Sequence, residues 1–411
     1  MKIAVQVRLL PSPEERAALE YTLHTCNEAA NWLSQQAHAK SERDRTRKAL
    51  QGFAYTLLKD RGLSAQPALH VLRKVADAYT VLKGNLKAGN LGKPGSERRR
   101  RAESKPVVFR PDAAQPYDDR CLSWQYAAQT VSIWTMAGRL RGVRFVCSEQ
   151  ARKTLQSHRK GETDLVHRDG MWFLIATCEV SEGKQIDPAG FIGVDLGIVN
   201  IATTSDGKIY VGRELNRHRR CQLRLRAKLQ RKGTKSAKRV LKRQRRKESR
   251  RAAHINHVIS KSIVTEAERT EHGIGMEDLA GIRERARLRK PQRVTLHSWA
   301  FAQLGQFIAY KARRAGVPVL FVDPAYTSRI CAECGHTDKA NRVSQAWFAC
   351  RSCGVVAHAD RNASRNIRAR AWKLWRRGAE SHAPAPVRGA GRGRTITASG
   401  GRTASPALRA E

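Results

Sequence analysis

Acidic residues are scarce in this chain. Asp and Glu number 36 against 78 Lys and Arg, leaving a formal net charge of +42. Few enzymes of small substrates carry such an excess, and its self-repulsion calls for a polyanionic partner, nucleic acid first and a membrane surface second. Long apolar runs are missing too, and without about eighteen consecutive apolar residues no transmembrane helix is expected. The opening MKIAVQVRLLPSPEER lacks the long apolar segment and cleavage signature of a secretory signal. The expected compartment is therefore the reducing cytoplasm, with no membrane partner. Internal repeats are absent. The end of the chain, 381–411, has almost no large apolar residue and reads as a disordered basic tail.

What remains is long enough for two or three domains. KIAVQVRLL alternates apolar and polar residues as a strand does, and Pro11-Ser12-Pro13 stops it. Leu19, Leu23, Cys26, Ala30 and Leu33 then make one helical face, and more helical pattern covers 45–60 and 66–88. A basic loop rich in Gly and Pro leads to short β-type runs: PVVFR, TVSIWT, GVRFVC and MWFLIATCEV. These predict a small barrel or sheet, with the helical block inserted after its first strand. At FIGVDLG a new domain opens with three strands. It continues through a long helical region crowded with Lys and Arg, a strand in GIGMED, a helix over 297–315, a strand in VPVLFVDP and a helix over 360–377.

Nine cysteines are present. Cys26, Cys121, Cys147, Cys178 and Cys221 are scattered and read as ordinary buried small residues. The other four are not scattered. Cys331-x2-Cys334, fifteen residues, then Cys350-x2-Cys353 is zinc-ribbon spacing, with Gly335 and Gly354 permitting the turn after each pair. An all-thiolate site is closed, so a Zn²⁺ there is structural and not the catalytic metal. Lys339, Arg342, Trp347 and Phe348, between the pairs, suit either a nucleic-acid surface or simple packing.

Three acids carry a second pattern. Asp195 sits in an apolar strand, where a carboxylate is expensive without a cation or partner. Glu277, with Asp278 beside it, ends a second strand, and Asp360 begins a helix. Singly, each reads equally well as a salt bridge or a helix cap. As an ordered set they resemble an RNase H-like nuclease site of the RuvC type. Phosphodiester cleavage by two Mg²⁺ ions needs such a cluster of hard oxygen ligands.

At GVDLG, MEDL, PAYTSRICAECG, CRSCG and HADRNASRNI the sequence resembles TnpB, the OrfB-type protein of insertion sequences, and the related compact type V CRISPR nucleases. The resemblance is strong over about 190–375 and weaker at the N-terminus, where CNEAANWL resembles part of the family's N-terminal region. It implies a multidomain α+β fold. An RNase H-like RuvC domain (189–326 and 358–380) would carry an inserted zinc ribbon, the target nucleic-acid-binding element (327–357). A wedge-like β-barrel (1–12 and 105–188) would carry an inserted helical recognition domain (13–104). It implies an RNA-guided DNA endonuclease working at the nucleoid of a bacterial or archaeal cell, with guide RNA and target double-stranded DNA as partners. Asp195, Glu277 and Asp360 would hold Mg²⁺, and Cys331, Cys334, Cys350 and Cys353 would hold Zn²⁺. Arg217, Arg220, Arg224, Lys228, Arg231, Lys235, Arg239 and Arg243 would line the channel for guide and heteroduplex. Asn31, Trp32, Gln35, Trp124 and Tyr126 are candidates, by location, for reading bases. Guidance by pairing fits a protein with many phosphate contacts and no dedicated base reader. The alternatives are a CRISPR effector with the same chemistry, a guided binder that does not cut, and an unguided zinc-ribbon binder or true transposase.

Overall fold

The computed structural model describes residues 1–279, 301–378 and 408–409. The chain divides into two compact units, Met1–Val180 with Arg388–Glu411, and Ser181–Val387.

In the first unit, β1 (Lys2–Leu9) buries Ile3, Val5, Val7 and Leu9 on one face, as its alternation requires. The helix α1 (Pro13–Ala39) starts at a capping box. Glu15 N–H donates to Ser12 Oγ (3.2 Å) and Ser12 N–H donates to Glu15 Oε2 (2.8 Å). Three helices follow, α2 (Arg47–Asp60), α3 (Ala65–Lys87) and α4 (Glu97–Glu103). Cys26, Leu33, Leu50, Leu58, Val71 and Val75 form the core that α1, α2 and α3 share. The remaining elements are β2 (Gln115–Tyr117), β3 (Leu122–Gln125), β4 (Thr130–Thr135), β5 (Gly138–Val146), α5 (Glu149–His158), β6 (Arg159–Arg168) and β7 (Met171–Glu179). The sheet is antiparallel in the order β2-β6-β7-β1-β5-β4-β3, and β1 pairs with β7 along its whole length, from Lys2 opposite Glu179 to Leu9 opposite Trp172. The first strand thus lies mid-sheet with the helical block inserted behind it, as expected.

PVVFR is a correction. It belongs to no strand. Side chains of α1 satisfy its backbone: Asn31 exchanges both amide bonds with Phe109 (2.7 and 3.0 Å), and Ser34 Oγ donates to the Val107 carbonyl (2.7 Å). Asn31 is therefore engaged in holding the fold. The expected tail lies outside the described residues except at Leu408–Arg409, which pair in parallel with Val5 and Gln6 of β1.

The second unit is built on β8 (Gly190–Asp195), β9 (Asn200–Thr204), β10 (Ile209–Val211), β11 (His272–Glu277) and β12 (Val319–Val322), in the order β10-β9-β8-β11-β12. β8, β11 and β12 run parallel, while β9 and β10 are antiparallel. Between β10 and β11 come α6 (Arg213–Lys232) and α7 (Lys235–Arg269), broken at Gly233, whose φ of 66° is the left-handed turn that ends α6. The expected helix over 297–315 is α8 (Phe301–Ala315), and its first turn lies outside the described residues. A two-stranded ribbon, β13 (Trp347–Ala349) and β14 (Val356–His358), precedes α9 (Ala359–Trp375).

The two faces of this sheet are covered differently. Ile192, Val194, Ile274, Met276 and Val319 share a core with Ile259 and Ile263 of α7 and Leu304 and Ile308 of α8. The alternate residues face α9, where Phe191, Leu320 and Val322 meet Ile367 and Ala371. Two glycines let α9 approach. A Cβ on Gly193 would collide with the Ser364 carbonyl oxygen and stand 2.5 Å from the Arg368 nitrogen. One on Gly275 would stand 2.6 Å from the Ala371 Cβ.

Gly193→Ala is expected to lower stability by about 3 kcal/mol, the upper end for overpacking, because backbone atoms obstruct it. Gly305→Ala, in α8 with nothing within 4 Å, should be neutral or gain up to about 1 kcal/mol from helix propensity. Thermal midpoints of the two variants check the pair; equal midpoints would refute the close seat of α9.

Candidate metal and nucleic-acid site

Period-two alternation explains where two of the three acids lie. Asp195 is two residues beyond Gly193 on β8, and Glu277 two beyond Gly275 on β11, so both follow the glycine face toward α9. The strands are parallel neighbours with Gly193 opposite Gly275 and Val194 opposite Met276, which brings the two acids to the same level at the strand ends. Carboxyl ends of parallel strands are where open α/β sheets bind ligands. Asp360 enters from the first turn of α9 with its side chain 16% exposed. It does not cap that helix. His358 does, its Nδ1 accepting from the Asp360 N–H (3.3 Å).

The three acids feel one another. Burial, then the charges of Glu277 and Asp360, push the Asp195 carboxyl up to about 8. Burial also raises Glu277, opposed by the Thr327 hydroxyl, Arg370 and Arg342. Two of the acids have an orienting side-chain partner. Asn200 Nδ2 donates to Asp360 Oδ2 (2.9 Å), and Thr327 Oγ1 donates to Glu277 Oε1 (2.5 Å). Arg342 reaches Asp360 Oδ1 at 3.9 Å. The three carboxylates are half-buried, and their ligand atoms do not all lie within 4.8 Å of one another; hard oxygens of this kind are the donors that a hard divalent cation takes. The sequence did not single out Asn200 or Thr327 as site residues, and it left Arg342 between a nucleic-acid surface and simple packing. Thr327 lies in the quoted PAYTSRIC, so a signal existed there; Asn200 had none.

The cysteines fit a tetrahedral ion. Among the described residues, Cys331, Cys334, Cys350 and Cys353 are the one group of three or more potential ligands whose atoms all lie within 4.8 Å of each other. Cys331–Cys353 and Cys334–Cys350 sulfurs are 3.7 and 3.6 Å apart. Zn–S bonds of about 2.3 Å give a tetrahedral edge of about 3.8 Å. The Cys353 N–H donates to Cys350 Sγ (3.5 Å), and this bond leads the effects that lower that thiol to about 6. Of the residues between the pairs, Phe348 is buried core and Trp347 is 59% exposed. Of the scattered five, Cys26, Cys121 and Cys178 are buried, while Cys221 is exposed on α6, against expectation.

The ribbon's base is stitched to α9. Asn362 accepts from Ala332 N–H (3.0 Å) and donates to the Ile330 carbonyl (2.8 Å). Asn366 donates to the Thr327 and Ile330 carbonyls (2.8 and 2.7 Å). The two asparagines of HADRNASRN therefore fasten the entry of the cysteine segment beside Asp360.

The basic residues named above lie at the surface of two helices. Arg217, Arg220, Arg224, Lys228 and Arg231 on α6, and Lys235, Arg239 and Arg243 on α7, are all exposed. α7 packs against α6, and Arg226 bonds Glu248 (2.6 Å). No helix among the described residues is long and apolar enough to cross a membrane.

Comparison with known proteins follows this division. Residues 176–281 match the family model described as a probable transposase (OrfB of IS605), and residues 301–367 match the Cas12f1-like TNB domain. The CRISPR-associated endodeoxyribonuclease Cas12f1 of Sulfoacidibacillus thermotolerans is 46% identical over 27% of this chain and 25% of its own. "Putative RNA-guided DNA endonuclease InsQ" of Escherichia coli K12 is 32% identical over 48% of this chain and 53% of its own. A TnpB-like protein of Methanocaldococcus jannaschii is 36% identical over 29% and 43%. The chain thus spans between a quarter and about half of the length of these relatives. A solved mini-RNA-guided endonuclease, CRISPR-Cas_phi3, aligns over 93% of this chain and 94% of its own, with a TM-score of 0.50 at 11% identity. That likeness is one of fold alone.

Purified from zinc-supplemented cells, the chain is expected to hold one zinc, and Cys350→Ser to hold almost none. Atomic emission on the two proteins checks this; equal zinc contents would refute the four-thiolate site.

Proposed function

We propose that this chain is an RNA-guided DNA endonuclease of the TnpB type, cutting by two-metal-ion hydrolysis beside a target paired with its guide. One observation carries the reading: Asp195, Glu277 and Asp360 converge at the ends of two parallel strands and the start of α9, close enough for Glu277 and Asp360 to raise Asp195. In this reading the second unit is an RNase H-like RuvC domain (189–326 and 358–380) with the zinc ribbon (327–357) inserted before its last helix. The first unit combines a wedge-like barrel (1–12, 105–188) with a helical recognition domain (13–104). Its strand order, β2 to β3, is compatible with a barrel that closes at those two strands.

Each residue has a task. Asp195, Glu277 and Asp360 hold magnesium, which when bound activates water and neutralises the charge that develops on the leaving oxygen. Asn200 and Thr327 fix the lone pairs of Asp360 and Glu277, so that the carboxylates meet the metal in one geometry. Arg342 brings a guanidinium to the same place and is suited to gripping the scissile phosphate. The exposed cations of α6 and α7 take the sugar-phosphate backbones of guide and target without reading sequence. The CRISPR-effector reading uses the same chemistry, and the 46% identity to a Cas12f1 favours keeping it.

With co-purified RNA present, Asp195→Ala is expected to reduce magnesium-dependent cleavage by more than ~1,000-fold, about 4 kcal/mol, while leaving bound RNA unchanged. Retained cleavage sinks the acid site. Cleavage that survives RNase treatment of the wild type sinks guidance.

A further inference from the structure

We propose that Tyr326 is a stacking platform for an unpaired nucleobase of the strand whose backbone enters the acid cluster. The proposal rests on the nuclease reading of that cluster. Among the described residues, four that are not glycine have positive φ: Gln129, Asp169, Glu271 and Tyr326, the last at 62°. The first three are polar. An aromatic side chain in left-handed backbone is unfavourable, and glycine or asparagine would take the position more easily.

The turn holds it there regardless. Ala325 N–H donates to Asp323 Oδ1 (2.9 Å), and the Tyr326 carbonyl accepts from Arg329 and Ile330 N–H (2.8 and 3.0 Å). The residue gains little burial in return, being 58% exposed. A strained, over-determined backbone that presents an exposed ring points to function. Exposed aromatics occur elsewhere, but Trp347 sits on a regular ribbon strand and Tyr21 on a regular helix, where exposure needs no strain.

Position supplies the ligand. The next residue, Thr327, holds Glu277, so the platform adjoins the acids through one peptide. Arg329 lies 5.9 Å from the Tyr326 ring, and Arg370 binds the Asp323 carbonyl (2.5 Å). An exposed ring with one guanidinium over a face, and a second held at Asp323, three residues back along the same turn, matches single-stranded nucleic acid, with a π face for the ring and phosphates for the cations. Every base has such a face, so the platform tolerates any sequence. That is what a guide-directed protein needs where the strand is cut.

The test uses the full chain with its co-purified RNA, calcium in place of magnesium, and raised salt to weaken phosphate contacts. Single-stranded DNA carrying 5-iodouracil at successive positions is irradiated and the adducts mapped. A Tyr326 adduct is expected, lost in Tyr326→Leu. Affinity for the same strand should fall about tenfold in Tyr326→Leu and hold in Tyr326→Phe. Tyr326→Gly relieves the backbone, so its thermal midpoint should stay or rise while its affinity falls as in Tyr326→Leu. Adducts confined to other residues, or wild-type affinity in Tyr326→Gly, overturn the proposal. Intact cleavage with Tyr326 never labelled defeats the platform alone. Labelled Tyr326 with no cleavage in magnesium supports the platform and defeats the nuclease reading.

Discussion

The seat of α9 on β8 and β11 is the contact on which the site depends. It is a backbone contact, made where Gly193 and Gly275 leave no side chain between helix and sheet. Because side chains alternate along a strand, the same face that presents these glycines presents Asp195 and Glu277 two residues on. The helix that can approach because of the glycines then delivers Asp360 from its first turn. Packing and chemistry are thus set by one register, and a shift of either strand by one residue would remove the glycine and the acid together.

The ribbon interrupts the chain between β12 and α9, and such an excursion threatens that register. A segment of over thirty residues, Asp323 to His358, must leave and return at fixed points. Asn362 and Asn366 close its entry onto α9, and the four sulfurs draw its two turns together. Thr327 belongs to both systems: its carbonyl is held by Asn366 and its hydroxyl holds Glu277. In the proposed reading, a zinc on the cysteines would act on the acids by fixing the loop that orients one of them. That answers to physical necessity, since a closed thiolate site has no open position for chemistry of its own.

The acids and cysteines stand out in the sequence because each is a chemical exception in its surroundings: a carboxylate in FIGVDLG, two pairs of thiols at matched spacing. The glycine face was legible only as composition, since nothing in FIGVDLG or GIGMED says which helix will arrive. Asn200 and Thr327 look like ordinary polar residues until the fold brings them, from far along the chain, to Asp360 and Glu277. PVVFR misled because its β-branched residues carry strand propensity, while Asn31 and Ser34 of α1 answer its backbone in place of a neighbouring strand. The cap reading of Asp360 failed for a local reason, His358 having taken that role two residues earlier.

Charge gives the last constraint. A chain of net charge +42 attracts phosphate everywhere, so attraction alone cannot choose where a strand lies. Choice requires a place that repels phosphate until a cation intervenes, and a half-buried set of carboxylates is such a place. Arg342 at Asp360, with Arg370 also acting on Glu277, offsets part of that repulsion without abolishing it, as the raised Asp195 carboxyl records. In the proposed reading, the basic helices concentrate nucleic acid and the acid cluster decides which phosphate may be held, and only with metal present. The scarcity of acids over the rest of the chain therefore sharpens the contrast at the few positions that hold them together.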